Sequence, residues 1–201
     1  MTALSPEKQA MSVLRKTGVT SAPIPVHLVA QRLGLVLEAA SFGDDVSGVL
    51  VIDGDRAVIG YNSSHSPTRQ RFSIAHEIGH YTLHRAESTL FIDQRYFAAF
   101  RDRRSASGAD KRERQANAFA ASLLMPSELV LREVEHRHFD LGDEDGLRGL
   151  AETFQVSVQA MVYRLTNMGV LSVPPDANEV AADPAPDKAR QRGTHATRIR
   201  R

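Results

Sequence analysis

The sequence predicts an α+β fold: a small, partly antiparallel sheet packed on one long helix, followed by a helical C-terminal region. Three observations carry that reading. Two strand-like runs, Gly48–Ile52 and Ala57–Tyr61, flank the tight-turn signal Asp53-Gly54-Asp55 and so should pair as a hairpin. Ser66-Pro67 places an N-cap and a first-position proline directly before a long apolar-periodic run. From about Asp110 onward the chain reads as successive helices.

Taken in order, Ser5 caps a short helix that begins at Pro6 and reaches Lys16. A second helix runs from about Val26 to Leu33 and stops at Gly34, and a strand, Leu35–Ala39, precedes the hairpin. The capped helix then extends from about Pro67 to His84. About 28 residues of weak periodicity follow, Arg85 to Arg112, a length more typical of a functional loop than of a connector. A helix rich in small residues spans about Asp110 to Met125, and Pro126 starts another that reaches roughly His136. Leu147–Phe154 and Val158–Met168 form a helix pair, with Ser157 capping the second and Gly169 ending it. From Pro174 the chain turns to Pro, Ala, Asp and Arg, with four acidic and six basic residues, and disorder is expected there. The implied division is an N-terminal helix (1–24), a core (25–140), a helix-turn-helix-like pair (141–173) and a tail (174–201).

Composition narrows the function classes. A formal net charge of +1 argues against a polyanion binder or a membrane-surface protein. No segment approaches the roughly 18 apolar residues that a membrane span needs, and the first residues lack the apolar stretch of a signal peptide. Eight histidines and no cysteine mean that any metal site must use imidazole and carboxylate, which suits a catalytic centre better than a structural one. The absence of cysteine also fits a reducing compartment, so the expected location is cytoplasmic.

His76-Glu77-Ile78-Gly79-His80 falls inside the capped helix. Positions four apart stack on one face, so both imidazoles can address one cation, while Glu77, turned by about 100°, can reach past the ion to hold and deprotonate a water. Phe72, Ala75, Ile78, Gly79 and Leu83 form an apolar face with the two histidines at its edge. Gly79 costs roughly 1 kcal/mol relative to Ala in a helix interior, so close packing of another helix is the simplest reason for it. A chance match of this pattern has a probability of roughly 2% in such a chain; the competing reading is two surface histidines on an ordinary amphipathic helix.

A hydrolytic zinc site usually has three protein ligands and one open position. His84 lies about 12 Å along the axis from His76, so one straight helix cannot bring all three histidines to one ion, and His84 reads as a helix-end or supporting residue. Glu113 is the better third ligand. It opens ERQANAFAASLLMP, where Glu113, Ala116, Asn117, Ala120 and Leu124 project to one side and the alanines permit close approach to Gly79. Asn117, one turn on, can accept a hydrogen bond from a ligand imidazole and fix its tautomer. The competing roles are a helix-N-terminal acid for Glu113 and a helix-edge polar residue for Asn117.

In combination, RFSIAHEIGHYTLH and ERQANAFAASLLMP resemble the ImmA/IrrE family of bacterial metallopeptidases, the likeness covering roughly Pro25 to Leu171. The resemblance implies a minimal gluzincin-like (zincin-like) fold, with His76, His80 and Glu113 as metal ligands and Glu77 as general base. It also implies a substrate: a helix-turn-helix repressor, often encoded by a neighbouring gene in a mobile element or stress-response locus.

The expected chemistry is peptide hydrolysis with Zn2+, although N/O ligands also accept Mn2+. Tyr96, His136 and His138 are the residue types that can donate to an oxyanion, each with ordinary packing or surface roles as the alternative. The hairpin is a candidate edge for an extended substrate, and the Arg85–Arg112 stretch a candidate flap. Two rival classes stay open. A DNA-binding regulator would use the C-terminal helix pair, but its second helix offers only Gln159 and Arg164, so direct nucleic-acid binding is not expected. A metal-dependent module that binds a repressor without cutting it would have no need of Glu77. The sequence leaves the oligomeric state open.

Overall fold

The computed structural model describes residues 4–43, 45–93, 108–137 and 144–171. Its elements are α1 (Pro6–Thr17), α2 (Val26–Arg32), β1 (Leu35–Ala40), β2 (Gly48–Asp53), β3 (Arg56–Asn62), α3 (Pro67–His84), β4 (Leu90–Asp93), α4 (Gly108–Leu124), α5 (Ser127–Arg137), α6 (Glu144–Phe154) and α7 (Val158–Asn167). The fold is α+β, with a four-stranded mixed sheet in the order β1-β3-β2-β4. β2 and β3 make the expected hairpin, pairing Asp53 with Arg56 across a two-residue loop in which Gly54 holds φ +56°. Tight hairpins demand such positive φ, and glycine supplies it without a Cβ clash. β1 runs parallel to β3, and β4 antiparallel to β2.

β4 departs from the sequence reading, which left Leu90–Asp93 inside an irregular stretch. Four residues are too few to display a period, and the strand exists because its backbone pairs with β2. Phe91 and Asp93 point inward, while Leu90 and Ile92 stay exposed. The remainder of the suspected flap, 94–107, lies outside the described residues, as do Tyr96, His138 and the tail after Leu171.

Ser5, Ser66 and Ser157 cap α1, α3 and α7, each accepting from the backbone N–H three residues on. α3 is the centre of the molecule. The inner sheet face (Leu35, Leu50, Ala57, Ile59 and Phe91) covers one side of it, and α2 and α4 pack on others. α3 is therefore buried on every side from Phe72 to His80 rather than along one stripe.

α3 and α4 approach each other closely at Gly79. A Cβ there would lie 3.2 Å from the Ala116 Cα and O and 3.1 Å from a Phe119 ring carbon, so the glycine is where the α4 backbone touches α3. Gly79→Ala should gain roughly 1 kcal/mol of helix propensity but incur about 1–3 kcal/mol of overpacking against backbone that cannot rotate away. We expect a lower melting temperature and weakened metal binding, because α4 carries Glu113; thermal melts with and without zinc check both.

α1 packs on α4, and Arg164 of α7 links three elements. Its guanidinium is buried, with Nε donating to the Met125 carbonyl at 2.9 Å and Nη2 meeting Glu7 of α1 at 2.7 Å. The arginine that a DNA-binding reading needs is thus consumed inside the fold, leaving exposed Gln159 on that helix.

Candidate metal centre

α3 and α4 together build a three-donor cluster. The Nε2 atoms of His76 and His80, one helical turn apart, are 2.9 Å from each other. Glu113 reaches over from α4, with Oε2 3.2 Å from His76 Nε2 and Oε1 3.3 Å from His80 Nε2. Among the described residues, these three form the one group of His and acidic side chains whose donor atoms converge closely enough to hold a metal ion. The two imidazoles are almost completely buried, whereas the Glu113 side chain is 38% exposed, so the cluster opens toward solvent on that side.

Each imidazole is held from behind. Asn117 Oδ1 lies 2.9 Å from His76 Nδ1 and accepts its N–H, leaving Nε2 free to donate its lone pair. Behind His80 stand His84, with the two Nδ1 atoms 3.2 Å apart, and then Gln115, whose Oε1 is 3.0 Å from His84 Nε2. Phe91 stacks on the His80 ring at 4.6 Å between centroids, which fixes that ring's plane from the sheet side.

Glu77 is fully buried, and neither carboxylate oxygen has a hydrogen-bond partner among the described residues. Its stem lies against Gly48 at the start of β2, where a Cβ would fall 2.9 Å from Oε1 and 3.2 Å from Cγ. Glycine is disfavoured in strands, so its position there is explained by the room it leaves for this acid. Asp93, paired with Gly48 across β2 and β4, is a second buried carboxylate, whose Oδ2 also has no partner among the described residues.

The electrostatics follow from this crowding. Burial, reinforced by Asp93 and Glu113 and opposed by His76, pushes the Glu77 carboxyl up to about 8. For His76, burial is the largest influence and works against the charged form. The hydrogen bond to Glu113 and the charges of Glu77, Asp93 and Glu113 outweigh it and raise the imidazole to about 9. Burial keeps His80 below its ordinary value. Burial would raise Glu113, but hydrogen bonds and charge from both histidines hold it well below the carboxylate range. The cluster is an anion beside two close imidazoles, an arrangement that demands a proton or a cation between them.

The donor set fits a divalent ion. A tetrahedral zinc with bonds of about 2.0–2.1 Å has ligand–ligand edges of about 3.4 Å, and the observed edges of 2.9, 3.2 and 3.3 Å need only tenths of an ångström of adjustment. Glu77 gives a second indication, since a fully buried acid with both oxygens unpartnered is costly unless it faces a polar group in the working site.

The structure thus brings His76, His80, Glu113, Glu77 and Asn117 to one place. His136 is exposed on α5 and is not among the converging donors, and Tyr96 and His138 fall outside the described residues. Sequence reasoning missed Gly48, Phe91, Asp93 and Gln115. A glycine opening a strand is the one signal that could have drawn attention to Gly48; the other three are revealed only by pairing in three dimensions.

The Peptidase_M78 profile, described as the IrrE N-terminal-like domain, matches residues 30–166. The chain belongs to this family. The chain is similar to "Uncharacterized immunity region protein 2" of Bacillus phage phi105, 27% identical over 143 residues, covering 71% of this chain and 82% of the phage protein. Among solved structures, a Mycobacterium tuberculosis transcriptional regulator superimposes with a TM-score of 0.55 at 18% identity, over 80% of this chain. The match spans 46% of that regulator, and at 18% identity the likeness concerns the fold alone. No helix among the described residues is long and apolar enough to cross a membrane.

Proposed function

We propose that the protein is a zinc-dependent endopeptidase that cuts a helix-turn-helix transcriptional repressor and thereby derepresses the genes it controls, acting in the cytoplasm. The observation that carries this reading is Glu77: a fully buried acid with unpartnered oxygens, beside a cluster of two imidazoles and a carboxylate. A purely structural ion would have no use for such a neighbour.

His76, His80 and Glu113 would hold the ion, zinc by preference for this donor set, with manganese acceptable to the same ligands. When bound, the ion supplies Lewis acidity, polarising the scissile carbonyl and lowering the pKa of a water toward about 7. Glu77 takes the proton of the attacking water and returns it to the departing amine nitrogen, as a general base and then a general acid. Burial raises its proton affinity in the empty cluster, and a cation bound beside it would favour the ionised form that a base requires. Asn117 fixes the His76 tautomer, and Gly48 and the inner sheet face keep Glu77 out of bulk water.

The repressor as substrate rests on the family resemblance. The names of two similar proteins are in keeping with gene regulation: the phage relative is an immunity region protein, and the structural relative a transcriptional regulator. Mixing the purified protein with the helix-turn-helix protein of its neighbouring gene, with and without chelator, should give a single zinc-dependent cut that mass spectrometry locates. An uncut repressor that nevertheless co-purifies with the zinc-loaded protein would favour a binding module instead.

A pH dependence follows. In the metal-free protein His76 stays protonated up to about 9, whereas a ligand must be neutral. Proton and zinc therefore compete, so affinity should rise with pH between 7 and about 9, and binding at pH 7 should release at least about one proton. Calorimetry in buffers of different ionisation enthalpy measures that number directly; zero protons released would contradict the assignment of His76.

A further inference from the structure

His84 is the one buried histidine of α3 that the three-donor cluster leaves out. It is nearly inaccessible, yet both of its ring nitrogens are engaged: Nδ1 lies 3.2 Å from His80 Nδ1, and Nε2 lies 3.0 Å from the Oε1 of Gln115 on α4. The order of donors along this chain is set by its far end. An amide oxygen only accepts, so His84 Nε2 must carry the hydrogen. A neutral His84 then has a bare Nδ1, which accepts from His80 Nδ1–H and leaves the Nε2 lone pair of His80 pointing at His76 and Glu113. With the Gln115 amide turned round, every donor would reverse and His80 Nε2 would carry a hydrogen, unable to ligate.

We infer that His84 is a positioning residue: with Gln115 it forms a hydrogen-bond relay that locks His80 in the tautomer needed for metal binding, as Asn117 does for His76. This rests on the proposed role of His80 as a ligand. The two imidazoles are served differently. His76 is backed by a single amide, whereas His80 is backed by a second imidazole that passes the polarity of Gln115 along. Both amides, Asn117 and Gln115, come from α4, the helix that also carries Glu113. One helix therefore supplies the third donor and sets the tautomers of the other two, so docking of α4 on Gly79 and readiness to bind metal are a single event.

The test measures zinc affinity by competition with a chromophoric chelator for the wild type, His84→Leu and His84→Asn, with circular dichroism to verify folding. Loss of an outer partner to a ligand imidazole typically weakens metal affinity 10–100-fold, and His84→Leu should fall in that range. Asn keeps an oxygen close to where Nδ1 stood, so His84→Asn should stay within a few-fold of wild type. Long-range nitrogen NMR on the zinc-loaded wild type supplies a readout that needs no variant to fold: His84 should show the Nε2–H tautomer and His80 a protonated Nδ1. His84 found as the Nδ1–H tautomer, or a folded His84→Leu variant that binds zinc like wild type, overturns the relay. Those results would leave the metal site standing, whereas a wild-type protein that binds no zinc sinks both.

Discussion

Glu77→Gln should bind zinc as the wild type does and lose cleavage activity by about 10²–10⁴-fold, the range that a general base contributes. The substitution is nearly isosteric, so the contact with Gly48, which leaves no spare room at Oε1, is kept. It removes the capacity to take up a proton while leaving His76, His80 and Glu113 untouched. Because burial already pushes the carboxyl up to about 8, the amide replaces a group that is largely neutral at pH 7 in the metal-free protein. The variant is expected to be no less stable than wild type. The measurement is kcat/KM on repressor cleavage beside zinc stoichiometry. A variant that retains full turnover would remove the basis for the peptidase mechanism; one that loses its zinc would show Glu77 to be a ligand.

Glu113→Ala has the opposite signature, losing the metal first. It deletes the one anionic donor of the cluster and leaves two imidazole nitrogens 2.9 Å apart with nothing to balance a cation. Removing a direct ligand should exceed the 10–100-fold loss typical of outer partners, so zinc affinity is expected to fall by more than about 100-fold. Folding should survive, because the side chain is 38% exposed and the α3–α4 contact is made by Gly79, Ala116 and Phe119. Chelator competition gives the affinity and thermal melts the stability; unchanged zinc affinity would remove Glu113 from the site.

What the sequence reveals here follows the range of the interaction involved. The hairpin is legible because Asp53-Gly54-Asp55 is a local turn instruction, and α3 because Ser66-Pro67 is a local start signal. The approach of Glu113 to the histidine pair is legible at longer range only because two adjacent features agree: a glycine inside one helix and alanines along another. β4 carries no such local mark, since its reason for being a strand is β2. Asp93 and Phe91 inherit that obscurity, and each acquires its place beside Glu77 and His80 through β4. The same holds for His84. Its distance along the helix axis rules it out as a companion of His76 on one ion, but its bond to His80 and its partner on α4 depend on tertiary structure.

Zinc-edge anomalous diffraction from crystals of the zinc-loaded protein tests whether His76, His80 and Glu113 hold the ion. One anomalous peak per chain is expected, about 2.0–2.2 Å from His76 Nε2, His80 Nε2 and a Glu113 oxygen, with the remaining position open toward Glu77. A peak bound elsewhere, or one that takes Glu77 as a ligand in place of Glu113, would contradict that assignment.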